Sequence, residues 1–195
     1  MFPPRPRHGA AVMRELVRAP RTQIADIPDG AARKIGGRIE LEDAPIRSPL
    51  TGTECSVWAV TIEELGGLGD AVLRGAKCQG VPFRLRDGSG VARVIPDGAR
   101  LGTTGQSFHY LPGALLIGYE RELFAELKIK LNYPTGSNLR FTERLIAPAA
   151  EVTIYGYCQR EPDRGAMDAD VSGYRGDVPT RPVLSSTRRA PLLIG

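Results

Sequence analysis

Val81-Pro82-Phe83-Arg84-Leu85-Arg86-Asp87-Gly88-Ser89-Gly90-Val91-Ala92-Arg93-Val94-Ile95 is the most legible stretch of the chain. Val81, Phe83 and Leu85 alternate with Pro82, Arg84 and Arg86, the period of two that gives a strand one buried and one wet face. Asp87-Gly88-Ser89-Gly90 follows as a tight turn of residues that tolerate positive φ. Val91–Ile95 returns as the partner strand, and Pro96-Asp97-Gly98 turns the chain again. Such a hairpin, in a chain with 23 Gly and 16 Pro, predicts short strands joined by many turns.

Upstream of the hairpin, Ala32–Leu41 reads as a strand with a bulge or bend at Gly36-Gly37. Cys55–Glu63 is a stronger strand. Trp58, Val60 and Ile62 line one face, and Cys55, Val57 and Ala59 the other, so both sides are expected to be covered. Downstream, Leu139–Ile146 alternates again. Val152, Ile154 and Cys158 mark a later strand, with Gly156 where a side chain would not fit. The segment from Tyr119 to Leu131 breaks the period of two: Leu123, Phe124, Leu127 and Leu131 follow helical spacing. Glu126 and Lys130 form an i,i+4 pair on it, and Asn132-Tyr133-Pro134 ends it. Leu101–Gly118 shows no period and is expected to be a long loop. The expected fold class is mainly β: a compact, partly closed antiparallel β-barrel or sandwich, OB-like as one form of it, with one packed α-helix.

Charge divides the chain in two. Residues 1–21 hold five Arg (Arg5, Arg7, Arg14, Arg18, Arg21) against Glu15 alone, which accounts for the whole net charge of +4. Residues 22–195 are therefore neutral and form the β domain, while 1–21 form a basic N-terminal arm with a short helix over Ala10–Ala19. Such an arm offers itself to an acidic partner surface. Being Pro-rich and poor in core residues, it should be removable without moving the melting temperature. The neutral body argues against nucleic acid, whose binders carry a basic stripe on the folded domain.

Several chemistries find no support in the residues. The three Cys (Cys55, Cys78, Cys158) are widely spaced, and with two His (His8, His109) they give neither a disulfide framework nor a zinc site. Reduced, buried thiols in a cytoplasmic protein are expected, with no metal and no cofactor. No apolar run reaches the roughly 20 residues of a membrane span. There is no GxGxxG after a strand, no GxxxxGK[ST], no HExxH, no CxxC and no GxSxG. No catalytic residue is assigned, and the chain is read as not an enzyme.

One position stands against its own pattern. Leu139, Phe141, Glu143 and Leu145 share one face, so Glu143 points with its apolar neighbours into the core. A buried carboxylate must be paired or hydrogen-bonded, and a structural clamp is the expected role.

Three runs stand in order along the chain. After Gly36-Gly37-Arg38-Ile39 comes Ser48-Pro49-Leu50-Thr51-Gly52-Thr53-Glu54-Cys55, of the form S-P-L-[ST]-G-x-x-C. Pro82-Phe83-Arg84-Leu85-Arg86-Asp87-Gly88-Ser89-Gly90 has the form P-F-x-[LV]-x-D-x-[ST]-G. Leu139 to Ala149 contains the run R-[YF]-x-E, and Val152-Thr153-Ile154-Tyr155-Gly156 is the strand that follows. Together these runs resemble the GIDE family, the β-rich domain of membrane-anchored RING-type E3 ubiquitin ligases, also called the beside-a-membrane domain. The resemblance implies structural use for Ser48, Pro49, Leu50, Gly52, Cys55, Phe83, Asp87, Gly90, Glu143 and Gly156. Family members carry transmembrane helices and, in eukaryotes, a RING. Neither occurs in these residues, so ligase activity is not carried over. What the resemblance implies is a protein–protein recognition module that binds a peptide or partner at a sheet edge, with Phe108, His109 and Tyr110 as contacts. A single-stranded nucleic-acid-binding OB-like domain using Tyr155, Tyr157 and Arg84 or Arg86 is the alternative. An accessory part of a ubiquitin-ligase-like or membrane-associated assembly is another.

Overall fold

The hairpin forms two staves of a closed barrel. The computed structural model describes residues 9–65, 71–103, 105–110, 119–126, 138–163, 179–188 and 190–195. Strand β1 (Ala31–Leu41) pairs on one side with β11 (Glu151–Pro162) and on the other with β6 (Phe83–Arg86). From β6 the ring continues to β7 (Val91–Val94), then β12 (Thr180–Ser185), and back to β11. Within this ring all pairings are antiparallel except β7 with β12, where Val183 lies opposite Arg93 and Leu184 opposite Val94. Counted along the chain, the barrel strands follow the order 1-2-3-5-4-1, a Greek-key closure of the OB type. The expected mainly β barrel is thus present, and it closes fully.

Gly36-Gly37 does not make a bulge. Register with β11 runs unbroken from Ala31↔Cys158 to Arg38↔Glu151. Pairing with β6 begins at Arg38↔Arg86, so β1 changes partners at this point and closes the ring. The hairpin turn also differs from expectation. Neither Gly88 nor Gly90 takes positive φ; among the described residues the glycines that do are Gly30, Gly52 and Gly98. Asp87 shapes the turn instead: its Oδ1 accepts from the Ser89 N–H (2.7 Å), the Ser89 hydroxyl (2.6 Å) and the Gly90 N–H (3.0 Å). An Asx-type carboxylate does here what left-handed glycines do elsewhere.

Ile35, Ile39, Phe83, Leu85, Ala92, Val94, Ile154, Cys158 and Leu184 fill the barrel, with Val57 and Ala59 packed onto them. Those last two belong to a second sheet of order β5-β4-β10-β9. Its strands are β4 (Val57–Leu65), β5 (Ala71–Gly80), β9 (Gln106–Tyr110) and β10 (Asn138–Ile146). β4 and β5 are inserted between barrel strands β1 and β6, and β9 and β10 between β7 and β11. The sheet's other face carries its own core of Trp58, Val60, Ile62, Leu139 and Phe141. Cys55 sits with this cluster, not with Val57 and Ala59, because Ser56 interrupts the alternation between β3 (Glu54–Cys55) and β4. Helix α2 (Tyr119–Glu126) adds fully buried Leu123 to it. Glu126 of α2 pairs with Lys77 of β5 at 2.7 Å; the expected partner Lys130, like Leu127 and Leu131, lies outside the described residues.

Helix α1 (Gly9–Arg18) corrects the reading of the arm. Val12 and Leu16 are buried against Leu193 of β13 (Leu193–Ile194), with Tyr155 packed alongside. Lys34 of β1 donates to the Leu16 carbonyl at 2.8 Å and the Val17 carbonyl at 3.3 Å, a cation at the negative end of the helix. Two buried aliphatic side chains contribute roughly 3–6 kcal/mol, and ordering the helix takes back most of it. Deleting residues 1–21 is therefore expected to lower the thermal midpoint by about 3–6 °C, read by circular dichroism; an unchanged midpoint would mean that α1 is not docked.

Candidate functional site

The expected loop at 101–118 contains strand. Arg100–Leu101 is β8, paired in parallel with β13. Gln106–Tyr110 is β9, in antiparallel register with β10 from Glu143↔Gln106 to Leu139↔Tyr110. Residues 111–118 and 104 lie outside the description. Phe108 and His109 therefore sit on the outermost strand of the second sheet. Phe108 is half-buried, leaning on the Trp58–Phe141 cluster, while Gln106, Ser107 and His109 are exposed.

The two edges of this sheet are guarded differently. β5 is a long edge with two charged side chains in ion pairs, Arg74 to Glu64 and Lys77 to Glu126. Lys77 also stands 5.8 Å from the centre of the Trp58 ring. The β4–β5 register shifts at Ile62/Glu63, a bulge. Charges and bulges are the devices that keep an edge from recruiting foreign strands. β9 has neither: its sequence is Gln-Ser-Phe-His-Tyr, its register with β10 is regular, and among the described residues no strand pairs with its outer side.

Behind β9, β10 presents two unlike faces. Toward the Trp58 cluster, Glu143 is 2% exposed. Its Oε1 accepts the Leu50 N–H at 2.9 Å. Its Oε2 accepts the Thr51 hydroxyl at 2.6 Å and the Ser48 hydroxyl at 3.2 Å. The Ser48–Thr53 loop, between β2 (Ile46–Arg47) and β3, is thereby pinned to the sheet across more than 90 residues of sequence. The loop is closed within itself by Gly52 N–H to Ser48 O (3.0 Å) and Ser48 N–H to Thr53 O (2.9 Å), with Gly52 at φ 69°. Ser48, Leu50 and Glu143 are thus brought together. Phe83 is in the barrel core, and Asp87 and Gly90 are in the hairpin turn. A β-carbon at Gly156 would fall 2.5 Å from Leu192 Cδ1.

On the opposite face, Arg140 donates to Glu63 at 2.7–2.8 Å, and Thr142 and Ser107 exchange a hydroxyl bond at 3.0 Å. Arg144 shares this face. Its Nε is buried without an acceptor, and burial pulls the guanidinium below its ordinary range while Glu63 counteracts. Sequence reasoning missed the Arg140–Glu63 pair, because Glu63 lies on another strand.

The barrel face that OB-type domains use, across strands two and three, bears Arg84, Arg86 and Arg93. Glu40 takes Arg86, and Glu42 takes Arg84 (3.5 Å) and Arg93 (3.0 Å). Tyr155 is packed under α1, and Tyr157 faces Gly30. The structure does not bring the two tyrosines onto the arginine face, so no stacking platform forms there.

The thiols are held neutral. Burial pushes Cys55 up to about 11, helped by the Glu143 carboxylate, and pushes Cys78 up to about 12, helped by Asp97. In the unfolded chain both ionise near 9.0. The unfolded state loses these protons first, so stability is full below about pH 9 and falls as pH rises from there toward 11 and 12. Native protein is expected to react with a thiol reagent at pH 8 far more slowly than denatured protein. Rapid native labelling of Cys55 would contradict its placement.

Among the described residues no group of three or more His, Cys, Asp or Glu is arranged to hold a metal, and no helix is long and apolar enough to cross a membrane. Compared with known protein families, curated proteins and solved structures, the chain matches none of them.

Proposed function

We propose that this chain is a non-catalytic protein-recognition module, of the GIDE type its motifs resemble, which takes up an extended peptide segment by strand addition at β9. The observation that carries this reading is the contrast between the sheet's two edges: β5 is guarded by ion pairs and a bulge, and β9 is regular, uncharged and, among the described residues, unpaired on its outer side. Strand addition uses the unpaired backbone groups of such an edge for affinity and its alternate side chains for selectivity. The rigid backing of β10, clamped through Glu143, supports it, because a preformed edge costs less ordering on binding. The nucleic-acid alternative is less well supported, since the barrel's arginines are occupied by Glu40 and Glu42.

A random peptide display selection tests the proposal. Selected peptides should protect the amides of 106–110 from hydrogen exchange. N-methylation at alternate peptide residues should abolish binding in one parity and be tolerated in the other, since only every second N–H of an added strand faces the edge. Binding that protects the barrel strands instead, or that ignores methylation parity, would overturn it.

A further inference from the structure

Resting on the strand-addition reading, we infer that the extended segment taken up at β9 is β9 of a second copy of this chain, paired antiparallel about a two-fold axis between the two Phe108 residues. What this edge asks of a partner is what it carries itself. Side chains alternate between the faces of a strand, and residues directly opposite in a sheet share a face. A two-fold pairing of β9 with itself must therefore be centred on a residue. Only Phe108, the middle of Gln106–Tyr110, keeps all five residues paired. Phe108 then lies opposite Phe108, Ser107 opposite His109, and Gln106 opposite Tyr110.

The pairs so formed suit one another. Phe108 is in register with Phe141 and half-buried against the Trp58–Phe141 cluster, so two Phe108 rings cover each other's remaining surface and join two clusters into one apolar layer. Directly opposed aromatic pairs stabilise a sheet. On the other face Ser107 and His109 are exposed. The Ser107 hydroxyl, bonded to Thr142 at 3.0 Å, keeps capacity for a further partner, and an opposed imidazole offers one. β9 contains no Asp, Glu, Lys or Arg, so the pairing opposes no like charges. The joined sheet runs β5-β4-β10-β9-β9-β10-β4-β5 and ends on both sides at β5, the edge guarded by ion pairs and a bulge. The assembly thus closes as a dimer instead of growing. Five paired residues per copy make a contact well below a standard interface of about 1,600 Å², so the dimer is weak, half-formed at roughly tens of micromolar.

Sedimentation and hydrogen exchange of the full chain from about 1 to 500 µM test this. A dimer should form across that range, and the amides of 106–110 should gain protection in step with it. Charge tests the register. Ser107→Lys/His109→Lys and Ser107→Asp/His109→Asp each oppose two pairs of like charges across the two-fold, and should weaken self-association roughly tenfold or more. Mixing the two opposes unlike charges and should restore association to wild-type strength or better. His109 is in register with Arg140 of its own copy, so each variant is read beside the mixture and not alone. A chain still monomeric at about 500 µM, while a display-selected peptide protects 106–110, overturns the inference and leaves strand addition standing. A dimer that leaves 106–110 unprotected, or that the like-charge variants leave intact, overturns it too. So does a mixture that fails to associate although both variants melt like wild type. If neither a second copy nor any selected peptide protects 106–110, the strand-addition reading itself fails.

Discussion

Glu143→Ala unfolds at a midpoint roughly 6–12 °C below wild type, the consequence of losing about 3 kcal/mol. The carboxylate accepts one backbone and two hydroxyl hydrogen bonds, from Leu50, Thr51 and Ser48, inside a face otherwise made of Leu139 and Phe141. Alanine removes the acceptor and leaves three donors with weakened or lost partners. The desolvation of each unpaired group, not the net worth of each bond, sets the size of the loss. Ser48 and Thr51 recover part of it by bonding to each other, since their hydroxyls are already 2.7 Å apart. Glu143→Gln keeps one carbonyl acceptor but turns an amide donor toward two hydroxyls, and should lose about half as much. Peptide binding should fall only in proportion to the folded fraction. An alanine variant that melts with wild type yet binds nothing would make the carboxylate a binding group and not a clamp.

Gly37→Ala is expected to cost about 3 kcal/mol or more, because the clash is with backbone. A β-carbon there would lie 2.3 Å from the Arg86 carbonyl oxygen and 2.8 Å from its carbon. Relief requires β6 to move away from β1 where the ring closes, at the Arg38↔Arg86 pair. Its neighbour provides the control. At Gly36 the nearest atoms belong to the end of the Arg21 side chain, at 2.9–3.3 Å, which can swing aside. Gly36→Ala should therefore cost under about 1 kcal/mol. Urea unfolding midpoints of the two variants separate these cases; equal midpoints would show that β1 and β6 are not locked at Gly37.

Alternation alone was enough for the strands that bury one complete face. Phe83 and Leu85, and Leu139, Phe141 and Glu143, point where their phase puts them. Strand β9 was hidden because Phe108 is the one wholly apolar side chain among its five residues, and its existence depends on pairing with β10. The docking of α1 was hidden for a similar reason. Val12 and Leu16 share their helix with Met13 and Val17, which stay exposed, so the sequence alone does not single them out, and their burial depends on Leu193, at the far end of the chain. The hairpin was read correctly and its turn was not: Gly88 and Gly90 suggested left-handed backbone, whereas Asp87 supplies three hydrogen bonds that make it unnecessary. The edge itself has no local signature. That β9 is outermost is a property of strand order, and strand order is set by contacts between segments distant in sequence.

The second sheet joins β4 to β10, from Val57↔Ile146 to Leu65↔Asn138, and these strands come from two different excursions out of the barrel. Neither excursion can finish its half of the sheet alone, so the chain is interlocked and not modular. Contacts this distant in sequence make folding slow for the chain's size, since loop closure precedes any gain from pairing. Cutting the gene between the excursions should yield two halves that are each unfolded and that regain the β9 edge only when mixed. The β9 edge is then a reporter of complete folding: with one excursion unpaired, β10 lacks its partner β4 and β9 loses its backing.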